Sequence, residues 1–96
     1  MIEIRLSTRS LLKTIATFDG RVLELFFDDM KGPSRRMHVG HIQSIDLAPV
    51  PRGKEKYQLT VKSEYQIVAV DVSEESFARA EELVAAVRKA MQAWTP

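Results

Sequence analysis

The 96-residue chain contains no cysteine. This absence excludes disulfides, thiolate metal sites and a cysteine nucleophile, and it agrees with a reducing location. No apolar run approaches the ~20 residues that a membrane-spanning helix needs. The amino-terminal residues alternate between apolar and charged side chains, so they lack the basic start and apolar block of a secretory signal. We therefore expect a cytoplasmic protein, or the soluble domain of a larger one, without a transmembrane segment.

An excess of charge of one sign is also lacking, because 14 basic residues are balanced by 13 acidic ones. A net charge of +1 gives no global field that would attract nucleic acid, which is therefore not an expected partner. The hydrophobic content of 45% and the charged content of 28% are ordinary for a globular protein. The length predicts a single domain that spans residues 1–96.

Motifs for catalysis or metal binding are absent as well. His38 and His41 are three residues apart, so on a regular strand they would point to opposite faces unless Gly40 introduces a bulge. Neither histidine has a third metal ligand close by in the sequence, and neither lies next to a serine nucleophile and a carboxylate. We expect no enzymatic activity, no metal site and no cofactor.

The clearest pattern that is present lies in the last quarter of the chain. Apolar residues recur there every three or four positions, which places them on one face of a helix. They are Phe77, Ala80, Val84, Val87, Met91 and Trp94. Ser73 stands at a good N-cap position, and Val72 could contact Phe77 as a hydrophobic staple. The pattern predicts a helix over residues 73–93.

Residues 1–72 read as short strands, because apolar and polar side chains alternate and β-branched residues are frequent. The predicted strands are 2–6, 11–18, 21–27, 35–47 (two short strands or one bent near Gly40), 57–62 and 65–72. Asp19-Gly20 predicts a type I′ hairpin. Residues 48–54 contain two prolines and are predicted to form a loop. The last strand is the most apolar one, so we expect it to be central.

Strands followed by one helix predict an α+β fold: a bent antiparallel sheet or partly open barrel of six to seven strands, closed by a C-terminal amphipathic helix. Two stretches carry a resemblance to a known superfold. Residues 35–45 look like a strand pair with an Ile-x-x-Ile ending at Ile42 and Ile45, and residues 65–70 lead into the helix. Together they resemble the pleckstrin-homology-like (PH-like) superfold, most closely its small bacterial domains.

The resemblance implies binding rather than catalysis. Members of the superfold bind phosphoinositides, peptides or other proteins, and the bacterial domains often assemble into rings. Members that bind phosphoinositides carry a Lys and then a basic-x-Arg pattern around the first hairpin. Here Lys13 and Arg21 flank the predicted turn, but Leu23 stands where that pattern has Arg. We therefore transfer the fold and a general binding role, and no site residue.

A first hypothesis places function on surplus apolar surface. Val22 and Phe26 lie on the strand face opposite to Leu23 and Leu25, and a single helix cannot cover both faces. With Trp94 at the end of the helix, they are candidate interface residues, unless a bent sheet folds over both faces. The chain would be a binding or assembly module that contacts itself, as a homo-oligomer, or another protein. The resemblance also implies a groove between a strand edge and the helix that could accept a peptide by strand addition.

A second hypothesis places function on the middle third of the chain, because positions 31–62 contain seven basic residues and only two acidic ones. Loops 31–36 and 52–56 could form a basic rim for an anionic ligand, such as a phospholipid headgroup or, less expected, nucleic acid. The candidate residues are Lys31, Arg35, Arg36, Arg52, Lys54 and Lys56. The simpler alternative is a solvated face of charged loops.

Overall fold

A computed structural model describes residues 1–6, 14–27, 34–51 and 56–94. Its strands are β1 (Ile2–Arg5), β2 (Thr14–Phe18), β3 (Val22–Phe27), β4 (Arg35–His38), β5 (Ile42–Pro49), β6 (Tyr57–Ser63) and β7 (Ile67–Val72). A 3-10 turn (Glu74–Ser76) leads into the helix α1 (Phe77–Ala93). The predicted α+β class is therefore confirmed.

The strands form two antiparallel sheets, one in the order β1-β2-β3-β4 and the other in the order β5-β6-β7. Within the described ranges no ladder joins the two sheets, so the expected bent sheet or partly open barrel of six to seven strands is matched only in part. The division falls at Gly40. There His41 N–H donates to the His38 carbonyl at 2.9 Å, and the chain turns from β4 out of the first sheet and into β5 of the second.

The hairpin between β2 and β3 forms where Asp19-Gly20 predicts it, but its turn is of another type. The Asp19 carboxylate accepts hydrogen bonds from the backbone N–H groups of Val22 and Arg21, which lowers the pKa of that carboxyl group. Gly20 has a positive φ of 99°, and no other described residue does. A type I′ turn needs two such residues, whereas glycine alone at the first central position is typical of type II′.

Strand β7 lies at an edge of its sheet and β6 lies in the centre, so the predicted central position of the last strand is wrong. The apolar residues of β7 divide between its two faces. Val70 and Val72 are buried, while Ile67 is 67% exposed on the outer face. High apolar content indicated burial on both faces here, but the second face is open to solvent.

The core lies between the inner faces of the two sheets and α1. Leu23 and Leu25 are fully buried, while Val22 is half-buried and Phe26 is 40% exposed, which confirms the predicted faces of β3. On the helix the buried residues are Ala80, Leu83, Val84 and Val87. Ala80, Val84 and Val87 of the predicted face thus lie in the core together with Leu83, whereas Phe77 and Met91 are half-buried and Trp94 follows the end of the helix and is 42% exposed.

The helix begins differently from the prediction. Ser73 is fully buried, and its side chain makes no capping bond to a helical N–H group. Instead its backbone N–H donates to the Leu6 carbonyl at 2.7 Å, and its hydroxyl bonds the Ser76 hydroxyl. Ser76 in turn donates to the Arg5 carbonyl at 2.5 Å. These serines tie the start of the helix to the end of β1.

Candidate binding groove between β5 and α1

Strand β5 lies at an edge of its sheet, and no strand of the described residues pairs with its outer side. Just beyond the strand, the Val50 N–H donates to the carbonyl of Lys56, the residue before β6, at 2.8 Å. Hydrogen-bonded pairs alternate in an antiparallel ladder, so in the observed register Asp46 and Ala48 also bond β6. The backbone groups of Ile45, Leu47 and Pro49 consequently point away from the sheet. This outward row is the candidate edge for a partner strand.

Pro49 can belong to β5 because β5 is an edge strand. The sequence predicts that residues 48–54 leave the sheet, because proline cannot donate to a ladder. The structure extends β5 through Pro49, and that part of the prediction is wrong. Pro49 occupies an outward position, where its missing N–H leaves no ladder bond unmade. Residues 52–55 of the predicted loop lie outside the described residues.

Arg88 of α1 reaches over this edge. Its Nε and Nη2 atoms donate to the Ile45 carbonyl at 3.2 and 2.7 Å, and Nη2 also donates to Asp46 Oδ1 at 3.0 Å. One outward carbonyl of β5 is thereby satisfied within the chain. No local sequence pattern indicates this contact, because it joins residues 43 positions apart.

A groove of about 290 Å³ lies between the β5 edge and the helix. It is lined by Leu47, Phe77, Glu81, Val84, Ala85 and Arg88. Arg88 marks the end of the groove at Ile45. At the other end the Phe77 ring stacks on Tyr57, the cross-strand partner of Pro49, with 4.2 Å between ring centroids. The helix therefore runs antiparallel to β5 along the groove.

The groove combines an apolar floor with opposite charges. Leu47 and Phe77 are half-buried and Val84 is buried, so apolar surface lines the bottom. Glu81 and Arg88 are exposed and lie two helical turns apart. Glu81 makes no ion pair with any residue of the described ranges, whereas Arg88 uses Nε and Nη2 and leaves Nη1 for a further acceptor. The groove can thus receive a strand that carries both charges.

The candidate interface residues of β3 do not form a continuous apolar patch. Val22 and Phe26 share the outer face, but Glu24 lies between them. Glu24 accepts a hydrogen bond from the Ser34 hydroxyl and lies 3.8 Å from Arg36. The polar group in the middle divides the apolar surface that the sequence suggested.

Trp94, the third candidate, packs on the turn between β4 and β5. Its ring lies 4.6 Å from the His38 ring, and His38 is the cross-strand partner of Val22. Trp94 is 42% exposed, so it neither enters the core nor projects freely. A side chain on Gly40 would collide with the indole, since an added Cβ would lie 2.6 Å from Trp94 Nε1.

The same turn brings the two histidines together, with ring centroids 6.1 Å apart. They therefore do not lie on opposite strand faces, which corrects the simplest interpretation of their spacing. His41 also contacts Tyr65 edge to face at 5.6 Å. The described ranges hold no group of three or more potential metal ligands.

Of the candidate anion-binding residues, Lys31, Arg52 and Lys54 lie outside the described residues. Arg35 is exposed at the end of β4. Arg36 lies near Glu24, and Lys56 Nζ lies 2.9 Å from Glu74 Oε2. Two members of the basic rim thus already face carboxylates.

Comparison with protein-family models, curated proteins and solved structures gives no significant match. No helix among the described residues has the length and apolar character needed to cross a membrane.

Proposed function

We propose that this chain is a non-enzymatic, PH-like binding module that takes an extended protein segment along the edge of β5. One observation carries the proposal: the backbone N–H and C=O of Leu47 point away from β6, have no partner among the described residues, and lie beside the groove between β5 and the helix. A strand added at this edge would exchange hydrogen bonds with Leu47. Its alternate side chains would enter the groove, which is how strand addition combines affinity with specificity.

The order of the elements supports the PH-like part of the proposal. In the described ranges, seven short antiparallel strands are followed by one C-terminal helix, which agrees with what the resemblance implies, although the strands divide between two sheets. The helix lines the groove through Val84 and Ala85. An open strand edge invites pairing with another chain, so an edge left uncovered beside a groove favours a binding role.

An anionic ligand at the basic rim has less support. Arg36 and Lys56 face carboxylates within the chain, so an anion would compete with Glu24 and Glu74 for them. The groove offers backbone groups of β5 that have no partner in the described part of the chain, which makes an extended protein segment the better match.

The proposal is tested with peptides selected from a displayed library of random sequences. Selected peptides are titrated into ¹⁵N-labelled protein, and amide hydrogen exchange is followed by NMR. We expect the Leu47 amide to become protected on binding, because it gains a carbonyl acceptor. The Ala69 amide, which points outward from the edge of β7, is the internal control and should keep its exchange rate.

Proline substitution adds a second test. Leu47→Pro removes the outward N–H without breaking a bond to β6, and Ala69→Pro does the same on β7. Peptide affinity should fall at least about tenfold in Leu47→Pro, which corresponds to about 1.4 kcal/mol, and stay within about twofold in Ala69→Pro. The proposal is rejected if the Leu47 amide stays unprotected with every enriched peptide and also in concentrated protein alone. The hydrogen-exchange measurement uses the wild-type protein, so it tests the proposal even if Leu47→Pro does not fold.

A further inference from the structure

The outward-pointing backbone N–H and C=O groups of β5 are complementary to one another. Ile45 contributes an N–H donor, Leu47 a donor and an acceptor, and Pro49 a C=O acceptor. Two groups are missing from the set: the Ile45 carbonyl is already bonded by Arg88, and proline has no N–H. The edge therefore offers equal numbers of donors and acceptors, placed symmetrically about Leu47.

We propose that the segment bound at this edge is β5 of a second copy of the chain, so that two molecules form a two-fold symmetric dimer centred on Leu47. This inference rests on the proposed function, and it names the partner. In an antiparallel pair with Leu47 opposite Leu47, the two residues exchange both of their hydrogen bonds. Ile45 then stands opposite Pro49 of the second copy, and its N–H meets the proline carbonyl.

The two missing groups meet each other in this arrangement. Pro49 of the second copy lies opposite the Ile45 carbonyl, which needs no donor because Arg88 already supplies one. No outward backbone group of residues 45–49 is left without a partner. Satisfied backbone groups matter here, since each buried unpaired group costs free energy. A two-fold interface uses the same patch on both molecules, so self-complementarity of this kind is what it requires.

Neighbouring registers fit less well. Centring the pair on Asp46 places two aspartates directly opposite each other, and like charges in that position destabilise a sheet. Centring it on Ala48 directs the Leu47 carbonyl toward Pro49 of the second copy, which has no N–H to donate. In the register centred on Leu47, Asp46 lies opposite Ala48 of the second copy, and neither problem arises.

The positions of Glu81 and Arg88 in the groove also fit a two-fold axis at Leu47. Arg88 marks the Ile45 end of the groove, while Glu81 lies toward the end marked by Phe77 and Pro49. The two-fold axis turns the Ile45 end of one molecule toward the Pro49 end of the other. Each Arg88, through its remaining Nη1 group, then approaches Glu81 of the second copy. The small side chain of Ala85 leaves room for the two helices to lie side by side.

The test combines sedimentation with hydrogen exchange of the wild-type chain over a micromolar to millimolar concentration series. We expect molar mass to rise from monomer to dimer, and the Leu47 amide to become protected over the same range. The Ala69 amide should remain unprotected at every concentration. Glu81→Arg converts two attractive contacts into two repulsive ones, so the dimer dissociation constant should rise at least about tenfold.

Glu82→Arg is the matched control, since it makes the same charge change at an exposed position of α1 outside the groove. It should leave the dimer dissociation constant within about twofold of wild type. A wild-type monomer at all concentrations, or a dimer in which Leu47 stays unprotected, overturns the inference. A monomer whose Leu47 amide is protected by a library-selected peptide retains the proposed function and removes only the second copy as the partner.

Discussion

At the residue scale, two glycines occupy demanding positions for different reasons. Gly20 adopts a positive φ of 99° with open space around it, so the backbone requires it. Gly40 has no positive φ, but an added Cβ would lie 2.6 Å from Trp94 Nε1 and 3.3 Å from His38 Nδ1. Its side-chain position is already filled by the indole. A side chain would therefore strain the backbone at position 20, whereas at position 40 it would collide with the indole of Trp94.

Substitution by alanine should distinguish these two roles through the single tryptophan of the chain. Gly40→Ala should displace the Trp94 indole, shift its fluorescence emission to longer wavelength and cost roughly 1 kcal/mol, because the ring lies at the end of the helix and can move outward. Gly20→Ala should cost roughly 1–2 kcal/mol through backbone strain and leave the emission unchanged. Fluorescence spectra and urea unfolding measure both. An unchanged emission in Gly40→Ala would contradict the contact with Trp94.

The sequence was informative about these residues only in part. It identified Gly40 as a break between strands and Gly20 as a turn residue, because both signals are local. It did not predict that the indole of Trp94 covers Gly40, or that His38 and His41 meet. Those contacts join residues far apart in the chain or separated by a sharp turn, and a strict strand alternation gives the opposite answer for the histidines.

At the scale of elements, α1 was predicted closely because its pattern is long and regular. Its end at Ala93 agrees with the prediction, and its apolar face packs on the core. Its beginning differs, since Ser73 is buried against β1 rather than capping a free helix end. Strand β5 was predicted less well. A proline ends a strand only where its missing N–H would have bonded a neighbouring strand. The register between β5 and β6 decides which residues face β6.

The buried face of α1 gives a test of the architecture. Val87 is fully buried, whereas Ala78 is exposed on the same helix. Val87→Asp should lower the free energy of unfolding by several kcal/mol (about 3–5), because it places an unpaired charge in the core. Ala78→Asp should change it by less than about 0.5 kcal/mol. Urea denaturation followed by circular dichroism measures both, and equal stability of the two variants would show that the assigned face is wrong.

At the scale of the whole molecule, composition and pattern led to the α+β class but not to the division into two sheets. Strand number and order along the chain are visible as alternation and turns. How strands distribute between sheets depends on the turn at Gly40 and on one core shared by both sheets and α1. The groove depends on the same arrangement. Its lining residues come from β5 and α1, which are distant in sequence, so no local pattern predicts which residues line it, and only the resemblance implied a groove beside a strand edge.

Dimerisation through β5 would also change the thermal stability of the molecule. A partner that binds only the folded state stabilises it by mass action, so the unfolding midpoint of the wild type should rise with protein concentration. Glu81→Arg should show a flatter dependence, and its midpoint should approach that of the wild type on dilution, because an exposed helix position contributes little to the monomer. Added salt should also flatten the wild-type dependence by screening the contact between Glu81 and Arg88 of the second copy. Scanning calorimetry over a concentration series measures this. A midpoint that is independent of concentration for the wild type would leave the β5 edge open to other strands and contradict pairing with its own copy.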